Sequence, residues 1–144
     1  MPKMIRKACR YQAIPLTFTQ DDVAANQSAV AMNTHAVASA ELTTTEYLMP
    51  FSGWVVGISA RHTAARTGGS CTADATIDGT ATGLQAILDA TNTQSHYSIQ
   101  ETELDHFTAN QRIGVKITTD AAWLPINGDL IVVVWCLVDI LGAV

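Results

Sequence analysis

Charge is scarce in this sequence. Only 15% of its 144 residues are Asp, Glu, Lys or Arg, against about 25% in an ordinary soluble domain. The surface must therefore be built largely from Thr, Ser, Ala, Asn and Gln. The net charge of -5 argues against nucleic acid as the main partner, because phosphate recognition needs a basic stripe. Cysteine is sparse as well. Cys9, Cys71 and Cys136 are an odd count without CxxC or Cys/His spacing, which points away from a disulfide framework or a zinc site and towards buried free thiols. The longest apolar run covers 130–138, far short of the roughly 20 residues of a membrane-spanning helix. Arg10, Gln12 and Pro15 interrupt any apolar stretch behind the basic start, so no secretory leader is expected. The expected setting is a reducing cytoplasm, where the sequon Asn26-Gln27-Ser28 has no consequence.

Catalytic signatures are missing too. The one elbow-like string, Gly57-Ile58-Ser59-Ala60-Arg61, lacks the second glycine that a nucleophile turn requires. No Walker loop, dinucleotide fingerprint or HExxH occurs. His35, His62, His96 and His106 show no HxH or HxxxH pairing and read as structural or surface residues. No catalytic residue, cofactor or metal is expected, and the chain reads as a non-enzyme. The densest polar group is Glu101, Glu103, Asp105 and His106. If that segment is extended, its three carboxylates lie about 7 Å apart on one face. There they would bridge a cation, pair with a partner's Lys and Arg, or form a solvated strand face.

What is present is β-pattern. A chain of this length reads as one domain able to bury a sizeable core. Ile113, Val115 and Ile117 alternate with Arg112, Lys116 and Thr118, the period of a half-buried strand. The run 130–138 has no polar face, and its β-branched Ile131, Val132, Val133 and Val134 favour a strand that is covered on both sides. Further strands are expected over 14–19, up to Met49, through 54–61, 70–77, 82–88 and 96–104. Trp54, Val56, Ile58 and Ala60 are expected to share one face, and Cys71, Ala73, Ala75 and Ile77 another. Asp78-Gly79 is a two-residue hairpin signal. Asp21 and Asp22 open an Ala-rich segment with three readings: a short capped helix, irregular backbone, or strands at 28–32 and 35–40. Short strands at this spacing, with no helical stripe between them, predict an all-β, antiparallel, jelly-roll-like sandwich. The expected organisation is a basic extended arm over 1–20, carrying Lys3, Arg6, Lys7 and Arg10, and a sandwich domain over 21–144. Trp54 and Trp135 are expected in the core; Trp123, in its Leu-Pro loop, reads as either a core ring or an exposed binding anchor.

The string Tyr47-Leu48-Met49-Pro50-Phe51-Ser52-Gly53-Trp54-Val55-Val56-Gly57-Ile58-Ser59 resembles the strand-Pro-Phe-x-Gly-strand signature of small β-sandwich structural proteins of tailed-phage heads and tails. Ala65-Arg66-Thr67-Gly68-Gly69-Ser70 is similar to that family's Arg-Thr-Ala-Gly-Thr turn, and Ile77-Asp78-Gly79 to its hairpin. Phe107-Thr108-Ala109-Asn110-Gln111-Arg112-Ile113-Gly114-Val115 resembles its Phe-x-Ala-Gly-Asp-x-Ile strand entry, with Asn110 and Gln111 in place of Gly-Asp. The likeness covers 47–140, about two-thirds of the chain, and the same architecture occurs in tumour-necrosis-factor-like trimer heads. It implies a homotrimeric capsid decoration (cement) protein bound to the major capsid protein on the exterior of the virion and made in the host cytoplasm, or alternatively a tail fibre or spike head that binds a host receptor. On that reading Lys3, Arg6, Lys7 and Arg10 form a capsid-docking arm. Trp123, Val132, Val134 and Cys136, flanked by Leu130 and Val138, form the trimer interface; the alternate set is Ile131, Val133, Trp135 and Leu137. No nucleic acid or membrane is expected among the partners.

Overall fold

The structure, a computed structural model, describes residues 10–34 and 44–142. Among them are ten strands and no helix. In chain order these are β1 (Tyr11–Gln20), β2 (Val30–Ala31), β3 (Glu46–Leu48), β4 (Gly53–His62), β5 (Cys71–Ile77), β6 (Thr80–Leu88), β7 (Ser95–Ile99), β8 (Asp105–Phe107), β9 (Arg112–Thr119) and β10 (Leu130–Asp139). One sheet runs β1-β10-β4-β7, with β8 also on β4; the other runs β2-β9-β5-β6, with β3 also on β9. Every pairing is antiparallel. The chain crosses repeatedly from one sheet to the other, which is the jelly-roll arrangement of a two-sheet sandwich.

Local chemistry explains most elements. In β9, Ile113, Val115 and Ile117 are buried while Arg112 and Thr118 are exposed, as alternation on a one-sided strand requires. Asp78 and Gly79 link β5 to β6 with φ of 49° and 79°, the two left-handed positions of a type I′ turn that matches strand twist. Asn110, in place of the glycine of the resembled turn, holds φ 75°, a conformation Asn tolerates better than most residues. Over its described residues, 21–34, the Ala-rich segment is irregular rather than helical, with β2 as its strand and Asn26 and Ala29 at positive φ. The strand expected over 35–40 and His35 lie outside the described residues.

The core lies between the sheets. Leu16 and Phe18 of β1, Val132, Val134 and Cys136 of β10, and Val55 and Ile58 of β4 face Ala73 and Ala75 of β5, Val115 of β9 and Leu88 of β6. Small residues on β5 let the sheets approach across β10's larger ones. Residues 11–20, part of the expected arm, are β1, paired from Tyr11 opposite Asp139 to Gln20 opposite Leu130.

Three expectations are corrected here. Trp54 and Val56 do not share a face with Ile58 and Ala60. The register of β4 on β10 shifts between Trp135 and Cys136, so Val55, Ile58 and Ala60 are buried while Trp54 and Val56 are half-buried on the outside. One extra residue in a strand inverts the phase of everything beyond it. Trp135 is likewise on the outer face, 42% exposed. The segment 96–104 is not one strand, because β7 ends at Ile99 and a turn precedes β8. Glu101, Glu103 and Asp105 therefore do not line a strand face.

Candidate interaction surface

Because β10 is central in its sheet, its alternate residues have opposite fates. Leu130, Val132, Val134 and Cys136 are fully buried against the second sheet. Ile131, Val133, Trp135 and Leu137 point outward. The set Val132, Val134 and Cys136, expected at a trimer interface, is thus core of this chain and has no accessible area left to offer a neighbour. Trp123 is core as well: its ring is 1% exposed, donates Nε1–H to the Val23 carbonyl at 3.1 Å, and meets His62 edge-on at 5.4 Å. Gly69, at φ 67°, lies against the Trp123 backbone nitrogen where a Cβ would collide. The Gly68-Gly69 turn is therefore part of what seats that ring.

The outer face of the first sheet carries exposed apolar side chains interleaved with small polar ones. In register, Pro15, Trp135, Gly57 and Ile99 form one row, and Thr17, Val133, Ser59 and Tyr97 the next. At one end, Tyr11 packs on Trp54 with centroids 5.8 Å apart, and Trp54 meets His106 at 5.4 Å, so an aromatic row connects β1 to β8. At the other end, the Arg61 side chain is exposed and has no hydrogen-bond or ion-pair partner among the described residues. Between them is an open groove of about 390 Å³, lined by Tyr97, Ile131, Val133, Arg61, Asn92 and His96 with smaller neighbours. His96 accepts the Ile87 N–H on Nδ1 at 3.0 Å, which leaves the proton of its neutral ring on Nε2.

The alternate set of the apolar run, Ile131, Val133, Trp135 and Leu137, is the part of this surface that the sequence offered; its extension onto Tyr97 and Ile99 of β7 carried only the weak signal of alternation with Ser98, since neither residue lies in a long apolar run. The outer side of the second sheet contrasts with it. There Arg112 pairs with Glu46 at 3.1 Å and Asp78 at 3.3 Å, while Lys116 donates to the Gly79 carbonyl at 2.8 Å. The Arg112 backbone N–H, then Gln111 and the Arg112 side chain, hold the Asp78 carboxyl below its usual range. That network satisfies itself.

Of the expected docking arm, Lys3, Arg6 and Lys7 lie outside the described residues. Arg10 is the first described residue, and its guanidinium grips Asp139, Nη2 to Oδ2 at 2.7 Å and Nε to both oxygens at 3.0 Å. The Asp139 carboxylate also accepts the N–H groups of Leu141 and Gly142. Arg10 first, then these backbone donors, keep its pKa below the ordinary aspartate value. Arg10 thus anchors the strand start rather than projecting as a free cation.

In the turn before β8, Glu101, Glu103 and Leu104 are exposed, while Asp105 accepts from Gln100 Nε2 at 2.6 Å. Among the described residues the group of three carboxylates close enough to share a ligand is Asp21, Asp22 and Asp129, all exposed. A hydrogen bond between Asp21 and Asp129 raises the former's pKa and lowers the latter's. Cys71 and Cys136 are buried thiols with pKa pushed up to about 12 by burial, so they are poor ligands and poor nucleophiles.

No family model matches this sequence, and no curated protein matches it. Among solved structures, it is similar to a chain in the acidic stable capsid structure of the Helicobacter pylori bacteriophage KHP30, with 13% identity over 90% of this chain and 94% of that one and a TM-score of 0.49. It is also similar to a chain of the cyanophage Pam1 capsid asymmetric unit, at 12% identity, 89% and 84% coverage and a TM-score of 0.43. A chain of the Mud Crab Dicistrovirus matches at 10% identity, 94% and 71% coverage and a TM-score of 0.29.

Proposed function

We propose that this chain is a structural protein of a phage virion: a homotrimeric decoration or cement protein that binds the major capsid protein on the outside of the head and stabilises the shell. The observation that carries the reading is a jelly roll with exposed apolar side chains left on one outer sheet face, on a chain whose turn and strand-entry strings resemble phage head proteins. Such a protein would act mechanically. Contacts that exist only on the assembled shell stabilise it by mass action. The basic arm of Lys3, Arg6 and Lys7 would lie on acidic capsid surface, where charge raises the rate of encounter more than the final affinity.

The alternative, a fibre or spike head that binds a host receptor, draws on the groove beside Tyr97, where an aromatic ring, Arg61, Asn92 and His96 surround an open site suited to a polar host-surface ligand. The test is co-sedimentation of the full chain with empty capsids, beside a chain lacking residues 2–9. Cement function expects saturable capsid binding that is weakened by the deletion and by added salt. Saturable binding indifferent to the deletion removes the arm from the mechanism, and absence of binding by the intact chain favours the fibre head.

A further inference from the structure

The cationic side chains of the described residues are engaged within the chain, with one exception. Arg10 holds Asp139, Arg112 holds Glu46 and Asp78, Arg66 donates from Nε to the Gly69 carbonyl, and Lys116 donates to the Gly79 carbonyl. Among the described residues, only the Arg61 guanidinium has no protein partner. It stands on the outer face of β4, in a row between Ile131 of β10 and Ser95 of β7. The next row brings Val133, Ser59 and Tyr97 beside it. The Tyr97 ring is 70% exposed and packs on no other aromatic ring among the described residues. These side chains line the open groove of about 390 Å³, a volume within the roughly 300–1,000 Å³ of small-ligand sites. The segment between β6 and β7 forms its wall and is held from both sides. Asp89 Oδ1 accepts the N–H groups of Thr91 and Asn92 at 2.9 and 2.8 Å, and the Asp89 N–H donates to the Asn92 carbonyl at 3.1 Å. The His62 N–H donates to the Gln94 carbonyl at 2.9 Å and the Arg66 N–H to the Thr93 carbonyl at 2.7 Å, which ties the wall to the end of β4. With its backbone committed, Asn92 has its carboxamide left for a ligand. A wall fixed in this way needs little further ordering on binding.

The chemistry of the lining selects the ligand. An unpaired guanidinium offers two parallel N–H donors to one carboxylate. An exposed aromatic ring presents a negative face, which suits the C–H side of a sugar ring. The Ser59 and Ser95 hydroxyls and the Asn92 carboxamide each donate and accept, the complement of neighbouring sugar hydroxyls. A single cation without a basic stripe does not suit the serial phosphates of a nucleic acid. We infer that this groove is a binding site for a carboxylate-bearing saccharide, with the carboxylate on Arg61 and the apolar side of the sugar ring on Tyr97. The inference rests on the groove that the fibre-head alternative draws on and names its ligand class; it holds equally for a decoration protein.

The test is calorimetric titration of the full chain with a short oligogalacturonate and with a sialyl-oligosaccharide, beside the same sugars with their carboxyls reduced to alcohols and a Glu-rich peptide. The variants are Arg61→Gln, Tyr97→Ala and, on the other sheet, Leu48→Gln. All three positions are exposed, so each variant should keep its β-sheet circular dichroism and cooperative melting. The expected result is saturable binding of at least one of the two acidic sugars, lost when its carboxyl is reduced. Arg61→Gln should weaken that binding about ten-fold and Tyr97→Ala several-fold, while Leu48→Gln leaves it unchanged. Absence of binding by both sugars, equal binding of the reduced forms, or groove variants that bind as the wild type does overturns the inference. Tighter binding of the Glu-rich peptide assigns the groove to an acidic protein segment and overturns it as well. Capsid co-sedimentation separates its failure from that of the proposed function. A chain that coats capsids and binds neither sugar overturns this site and leaves decoration standing, while one that binds sugar as expected and ignores capsids supports the site and overturns decoration.

Discussion

Arg10 and Asp139 close the sandwich at one end, and their chemistry sets a pH dependence. The Asp139 carboxylate is held below its ordinary value by the guanidinium and two backbone N–H groups. Its charged form therefore contributes stability that is complete above the unfolded value, near pH 4, and is lost as pH falls through the lower folded value. Asp139→Asn should lower the melting temperature at pH 7 and narrow its gap to the wild type as pH approaches 3; parallel melting curves across that range would contradict the assignment. Trp123 makes a second prediction at this scale. Trp123→Phe keeps a ring beside His62 but leaves the Val23 carbonyl without its donor, at a cost of about 1–3 kcal/mol in denaturant titration. The thiols supply a third. With Cys9 replaced by Ser, a thiol reagent should leave Cys71 and Cys136 unlabelled until the chain unfolds, because both are buried and protonated.

Among the elements, β10 decides most. Adjacent residues on it belong to different environments, Val132 fully buried and Val133 half-exposed on the outer face. Val132→Lys buries an ammonium without a partner, a cost of several kcal/mol, on the order of a whole domain's stability, and should abolish cooperative folding. Val133→Lys should leave the melt cooperative. Circular dichroism on the pair checks both outcomes; a folded Val132→Lys would remove that residue from the core. The β5–β6 hairpin is a milder case, since Gly79→Ala forces a side chain into φ 79° and should cost about 1 kcal/mol.

At the scale of the whole molecule, the first and last described strands are neighbours. Tyr11 is opposite Asp139 and Gln20 opposite Leu130, so the sheet is completed only when the two ends of the chain meet. A chain beginning at Asp21 would lack Leu16 and Phe18 and leave β10 as a bare edge. It should aggregate instead of forming a soluble domain, whereas removing residues 2–9 alone should preserve the fold. A soluble, cooperatively melting product from residue 21 onward would place the domain boundary there.

The β class, the β9 alternation, the Asp78-Gly79 hairpin and the sandwich were all legible in the sequence, because strand period and turn chemistry are local properties of neighbouring residues. The apolar run 130–138 likewise announced a strand with two apolar faces, but both sets, Val132 with Val134 and Val133 with Trp135, satisfy the same pattern equally. Which set faces the core depends on which side of β10 the second sheet lies, and that is fixed by contacts far away in sequence. The same distance hid the phase change in β4, because a bulge is defined against a partner strand. It also hid the outer patch, whose rows join Pro15, Trp135 and Ile99 from three separate segments. The sequence by itself determined the β class, most of the strands and the Asp78-Gly79 turn; the tertiary structure alone decided which apolar residues are enclosed and which stay exposed, because burial is a property of two surfaces and the sequence lists only one at a time.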